Sequence, residues 1–322
     1  MNILVTGSAG FIGYHLSLNL LNKNIKVIGL DNINNYYDTK LKRDRIKNLK
    51  KKNKFLFYKI DLKNFNKLNR LVKKHKINIV IHLAAQAGVR YSIKNPRKYF
   101  ESNLEGFFNI LETSKLNNIK HLIFASTSSV YGDTKKFPLK ETYGTDFPLS
   151  FYAATKKSNE VMAHSYSYIH KLPCTAVRFF TVYGPFGRPD MALFKFTKNI
   201  INGKFIELFN YGKHNRDFTY VDDIVDGIVK LIKKPSKDKI PYKIFNIGNG
   251  KSKKLTEYLK VIEKTLNKSA KIRNMPLQVG DILKTHSDIS TLRKYVGYKP
   301  KTNINKGVVK FIEWYREYYK IN

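Results

Sequence analysis

Tyr152 and Lys156 stand four residues apart in the stretch FYAATKKS. A helix there puts phenol and ammonium on one face, a single turn apart. A free phenol ionises near pH 10 and is a poor base at neutral pH. A neighbouring cation favours the phenolate, and a positively charged nicotinamide beside the ring would favour it further. Tyr152 would then take the proton from a secondary hydroxyl while hydride leaves the same carbon for NAD. A hydroxyl from ASTSSVYG (125–132) would hydrogen-bond the oxygen being oxidised. Such spacing also arises by chance in a chain with 21 tyrosines. The chemistry therefore depends on whether other residues bring a dinucleotide to the pair.

Three glycines, Gly7, Gly10 and Gly13, follow the β-branched run NILVT in the segment TGSAGFIG, with Phe11 and Ile12 opening an amphipathic stretch. Glycines at a strand-to-helix turn let the backbone approach a pyrophosphate, whose charge the helix N-terminus stabilises. Alone, the trio also describes an ordinary tight turn. Asp31 strengthens the case by ending the next strand close to the roughly 20-residue spacing of dinucleotide sites. A carboxylate there accepts the adenosine-ribose hydroxyls and repels a 2′-phosphate, favouring NAD over NADP. Asn32 adjoins it. Asp61 and Leu62 follow FLFYKI, where Asp61 is placed either for the adenine edge or for a helix cap. Ala84 and Ala85 in IHLAAQAGVR let the chain pass close to the cofactor, and Asn103 lies on the following helix with an amide to orient its neighbours.

These residues need a frame. Short apolar runs (NILVT, KVIGL, FLFYK, NIVIHL, HLIFAS, CTAVRFF) alternate with helix-like segments at 11–21, 40–50, 64–74, 96–114 and 152–170. That alternation predicts a Rossmann-type, doubly wound α/β domain over residues 1–180, its parallel sheet covered on both faces. Residues 181–322 read as a smaller, mostly helical substrate domain over the sheet's C-terminal edge, with a strand-helix segment near 218–247 returning to the first domain. At 322 residues and 42% hydrophobic the chain carries a sizeable core. Cys174 is the only cysteine, which excludes internal disulfides and thiolate zinc sites, and no metal site is expected. With no apolar run of membrane-spanning length and no basic leader, the expectation is a cytoplasmic protein. The net charge of +36 raises nucleic-acid binding as a rival. Its lysines are scattered, however, and no nucleic-acid module accompanies them, so no specific nucleic-acid partner is expected.

The segments TGSAGFIG, DNINNYYD, HLAAQAGVR, SSVYG, YAATKKSNE, RFFTVYGPFGRPDMALF, RDFTYVDDIVDGI and NIGN resemble, in order and spacing, the extended short-chain dehydrogenase/reductase (NAD-dependent epimerase/dehydratase) family, and within it the UDP-glucuronate 4-epimerases. The likeness runs through nearly the full chain. It implies that Tyr152, Lys156 and Thr127 are catalytic. Gly7, Gly10, Gly13, Asp31 and Asp61 take cofactor positions, Arg216 binds a diphosphate, and Asp281 lies on the nucleotide side. Arg90 and Arg188 are further candidate anion contacts. A homodimer through helices near 96–115 and 152–170 is implied too.

The implied reaction is 4-epimerisation of a UDP-sugar. Oxidising C4 of UDP-glucuronate makes a β-keto acid, which loses carbon dioxide if its carboxylate bond aligns with the carbonyl. An epimerase must hold that carboxylate out of alignment, and hydroxyl donors do so without supplying a proton source. Ser128, Ser129 and Thr181 are the candidates. Related dehydratases and decarboxylases carry carboxylates where this chain has Ser128 and Ser129. The alternatives are a UDP-glucose or UDP-N-acetylglucosamine 4-epimerase, a UDP-glucuronate decarboxylase, or a catalytically silent NAD-sensing or nucleic-acid-binding protein.

Overall fold

The computed structural model describes residues 1–321. Its first part runs β1 (Asn2–Thr6), α1 (Phe11–Asn22), β2 (Lys26–Asp31), α2 (Thr39–Lys50), β3 (Phe55–Lys59), α3 (Phe65–Lys74), β4 (Ile79–His82), α4 (Val89–Lys94), α5 (Pro96–Tyr99), α6 (Gly106–Leu116), β5 (His121–Thr127), α7 (Phe151–His170) and β6 (Cys174–Phe179). There follow β7 (Thr181–Tyr183), α8 (Ala192–Ile201), β8 (Phe205–Phe209), β9 (Asn215–Tyr220), α9 (Val221–Ile232) and β10 (Tyr242–Ile247). The chain closes with β11 (Ser252–Lys254), α10 (Leu255–Leu266), β12 (Lys271–Met275), α11 (Ser290–Val296) and α12 (Ile304–Tyr319).

Seven strands form one parallel sheet in the order β10-β6-β5-β4-β1-β2-β3. Its central strands are apolar on both faces because helices cover both. Ile3 and Val5 of β1 point into a core shared with Leu16 and Leu20 of α1, Leu41 and Leu49 of α2, and Ile224 and Ile228 of α9. Leu4, between them, packs on the opposite face with Leu68 and Val72 of α3, Phe107 and Leu111 of α6, and Ala163 of α7. Strand order reverses between β1 and β4, and such a switch leaves a crevice at the carboxyl ends of the strands.

The portion after β6 is less helical than its sequence predicts. Short sheets β11-β9-β7 and β12-β8 stand beside helices α8, α10 and α12. β10 pairs with β6 and so belongs to the large sheet.

The stretch 96–114, predicted as one helix, is helical throughout but changes its winding within. α5 runs into a π-helical turn over Phe100–Glu105, which runs on into α6. Asn103 sits in that turn, fully buried. Its amide accepts from the Gln86 N–H at 2.8 Å and donates to the Gln86 carbonyl at 3.0 Å and to Thr155 Oγ1 at 3.1 Å. Its carbonyl accepts from Asn159. The widened turn carries one amide to both the β4 loop and α7, a placement that hydrophobic periodicity does not encode.

Candidate active site

A cavity of about 890 Å³ runs along the carboxyl ends of β1, β2, β4, β5 and β6 and continues under β8, β9 and the 280–285 segment. Among the residues singled out from sequence, all but Asn103 line it. Asn103 lies behind the wall, where its amide holds both backbone groups of Gln86 and so orients the loop that does line the cavity.

At one end, Gly7 has φ +73°, and a methyl on it would approach the Ala84 nitrogen to 2.7 Å. A methyl on Gly13 would run into the Gly7 carbonyl oxygen. Only hydrogen atoms let the glycine loop, the start of α1 and the Ala84–Ala85 segment lie so close. Gly10 gives α1 no side-chain cap, leaving first-turn N–H groups available to an anion. Asp31 accepts from the Ile33 N–H at 2.8 Å and the Ala9 N–H at 3.2 Å. Burial nonetheless raises its pKa, opposed by those two N–H groups and by the charges of Lys42 and Arg45. Asn32 donates to Asp61 at 3.0 Å. A side-chain-free cradle, uncapped helix N–H groups and a carboxylate with lone pairs toward the groove together fit the pyrophosphate and adenosine ribose of NAD.

In the middle, Ser150 caps α7 by accepting from the Ala153 N–H. Tyr152 therefore stands in the helix's first turn, beside the end of β5. Burial raises the Tyr152 pKa; the Thr127 hydroxyl and then Arg188 pull it back. Lys156 lies one turn further along the same helix. Its Nζ donates to the Ala125 carbonyl at 2.9 Å, and burial brings its own pKa down to about 8. Arg188, held outside the helix, brings a second cation to the phenol. Thr127 donates to Ser129 Oγ and accepts the Ser129 N–H, both at 3.2 Å. Ser128, Ser129 and Thr181 add hydroxyls to the same wall.

Arg188 is gripped by Asp190, Nε to Oδ1 at 3.0 Å and Nη2 to Oδ2 at 2.5 Å. Tyr36, from the loop after β2, donates to the same carboxylate at 3.1 Å. At the far end, Arg90 meets Asp281 at 3.0 Å with its guanidinium over the Phe209 ring. His214 Nε2 lies 3.8 Å from that carboxylate. Arg216 donates to the Asn215 and Leu283 carbonyls, and burial lowers its pKa to about 10. Two arginines against one carboxylate leave this end positive, which suits a diphosphate.

The sequence reading missed Tyr36, Lys42, Asp190 and His214, which all line the cavity. Tyr36 had a signal in the tyrosine pair of DNINNYYD. Lys42 was one cation among many, whereas Asp190 stands two residues from Arg188, a spacing that could have marked the pair.

Residues 3–248 match the model of the NAD dependent epimerase/dehydratase family. The chain is 50% identical to "Protein CapI" of Staphylococcus aureus, over 99% of this chain and 100% of that one. It is 41% identical to a "Probable UDP-glucuronate 4-epimerase" of Rhizobium meliloti, over 99% and 98%. The crystal structure of UDP-glucuronic acid 4-epimerase from Bacillus cereus, in complex with UDP-glucuronic acid and NAD, superposes with a TM-score of 0.93 at 34% identity, covering 99% of this chain and 100% of that one. With a glycine cradle and the Asp31 carboxylate at one end of the groove and a Tyr–Lys helix at its centre, the chain belongs to the NAD dependent epimerase/dehydratase family.

Proposed function

We propose that this NAD-dependent nucleotide-sugar epimerase interconverts UDP-glucuronate and UDP-galacturonate through a 4-keto sugar, with every carbon retained. Tyr152 takes the proton of the sugar's 4-hydroxyl, and Thr127 holds the oxygen from which it leaves. Bound NAD supplies the acceptor, and afterwards the donor, of the hydride at C4. Between the two transfers the sugar ring presents its other face to the nicotinamide, and Tyr152 returns the proton. Arg216 and Arg90 hold the diphosphate while Asp281 faces the nucleotide, so the uridine end stays fixed during this turn.

The observation that carries the choice of sugar is the wall of hydroxyls at Thr127, Ser128, Ser129 and Thr181. All four line the cavity with Tyr152 and Arg188, and positions 128 and 129 hold no carboxylate. Hydroxyls and a guanidinium fix the C6 carboxylate by hydrogen bonds, keeping its bond to C5 away from the carbonyl π system. They offer no base for the C5 proton, which disfavours dehydration.

A homodimer forms part of the reading. It is supported by Phe100, Phe108 and Leu116 before and along α6, and by Val161, Tyr168 and Ile169 on α7, all exposed. Cytoplasmic residence is proposed alongside it; no helix among the described residues is long and apolar enough to cross a membrane.

The decisive experiment incubates the purified protein separately with UDP-glucuronate and UDP-glucose and reads the products by NMR. UDP-galacturonate without carbon dioxide is the expected result. A UDP-pentose, or turnover of UDP-glucose alone, would reject it.

A further inference from the structure

Helix α7 sets a stripe of side chains against the end of β5 at intervals of four residues: Tyr152, Lys156 and Glu160. Residues at that spacing share one helical face. Each has its own neighbour among the last three residues of β5. Tyr152 lies beside the Thr127 hydroxyl, Lys156 holds the Ala125 carbonyl, and Glu160 Oε1 accepts the Ser126 hydroxyl at 2.6 Å.

The carboxylate of Glu160 is engaged from β6 as well. Arg178 donates through Nε to Oε1 and through Nη2 to Oε2, both at 2.8 Å, with each side chain 2% exposed. The Arg178 guanidinium lies over the Tyr131 ring, and Tyr131 donates to Asn246 of β10. Tyr242, also on β10, donates to the Glu160 backbone carbonyl at 3.0 Å. Strands β5 and β6 thus reach the carboxylate of Glu160 and β10 its backbone, and the residue does not line the cavity.

A buried ion pair is weak evidence for stability, because desolvation offsets much of the attraction. Its geometry is more demanding than its energy. Glu160 reaches Ser126 and both arginine nitrogens together only when α7 sits at one height along β5, and that height also sets where Tyr152 stands relative to Thr127. We propose that Glu160 is a positioning residue of the epimerase, and that the Arg178–Glu160–Ser126 linkage fixes the distance between the proton-transferring phenol and the hydroxyl opposite it. The inference rests on the epimerase chemistry proposed above; Glu160 itself touches neither sugar nor cofactor.

The test compares the NAD-loaded full chain with three variants: Ser126→Ala, Glu160→Gln, and the double variant Glu160→Met/Arg178→Met. Ser126→Ala leaves the ion pair intact and removes only its tie to β5. A misplacement on the scale of an ångström costs rate rather than binding, so kcat is expected to fall roughly 10-fold in Ser126→Ala and roughly 100-fold in Glu160→Gln, with KM unchanged. The double variant is expected to regain the thermal midpoint without regaining kcat. The Tyr152 phenol should also titrate higher in Glu160→Gln as Thr127 withdraws, read as the ultraviolet difference against the same protein carrying Tyr152→Phe.

Wild-type kcat in Ser126→Ala, recovery of kcat together with the midpoint in the double variant, or an unmoved phenol titration would each reduce the linkage to a stabilising contact. If either replacement at position 160 fails to fold, Ser126→Ala decides. The titration needs no sugar, so a wild-type enzyme inert on both UDP-sugars would count against the substrate reading alone.

Discussion

At the junction of β5 and α7, Lys156, Glu160 and Arg178 are almost fully enclosed, each tied to a carbonyl, a hydroxyl or one counter-ion. At the mouth of the cavity, Arg90, His214 and Arg216 crowd around the single carboxylate of Asp281, and the Arg90 side chain is 46% exposed. The first region spends its polar groups on one another and holds them still. The second keeps surplus positive charge at the edge of solvent, where salt screens it and a ligand can exchange partners. Bond-making needs fixed distances, whereas capture and release of a dianionic nucleotide need a field. In the reading proposed above, the backing of the cavity supplies the first and its mouth the second.

The largest expected effect lies in the enclosed region. Tyr152→Phe should lower turnover by roughly 10³-fold while leaving the NAD content of the purified protein unchanged. Turnover is read by NMR and NAD by absorbance after denaturation. An unimpaired variant would remove the chemistry from this junction altogether.

Lys156 gives a second handle, with a definite sign. Its pKa is about 8 in the fold against 10.5 for the free side chain. Below pH 8 the ammonium is charged in both states, and the cost of burying it is present in full. As pH rises from 8 toward 10.5 the folded lysine gives up its proton first and that cost fades. Lys156→Met should therefore gain at most roughly 3 kcal/mol at pH 7, an upper limit from the size of the shift. That gain should shrink across the same interval in denaturant titrations of the NAD-loaded protein. A gain independent of pH would mean that the site does not enclose a charge.

At the mouth the effect should be smallest. Half-exposed ion pairs are worth about 0.2–1 kcal/mol, so Arg90→Ala should raise KM for the UDP-sugar by less than about 5-fold, with kcat unchanged. The difference should narrow at high salt. A loss of kcat instead would place Arg90 with the rigid region and blur the division.

Much of this was legible from the chain, though unevenly. The glycine loop, Asp31 and the Tyr152–Lys156 spacing depend on contacts within one strand-turn-helix unit or one helical turn, and such contacts leave a periodic or fixed-offset mark. The alternation of apolar runs set out the sheet for the same reason. What stayed hidden depends on distant pairings. The partner of Lys156 is a backbone carbonyl, which has no sequence signature. Tyr36 meets Asp190 from 154 positions away, and lysine-rich surroundings disguised Lys42. Arg178 did carry a signal, a lone cation in the apolar run CTAVRFF, but its counter-ion could not be named before the strand order placed α7 over β6. The π-helical turn inside the 96–114 helix was invisible because its amide reaches two other elements.

β10 follows β6 along the edge of the large sheet only after the chain has passed through β7, α8, β8, β9 and α9. The last parallel partner is therefore made late. During synthesis, β6 has to wait with an open backbone edge until the residues beyond Ile240 leave the ribosome, and an open strand edge invites pairing with a neighbouring chain. The segment from β7 to α9 is in this sense an insertion into the fold of the large sheet. Cutting the gene just after β6 would yield a six-stranded fragment with a sticky border, and not a self-sufficient nucleotide-binding module.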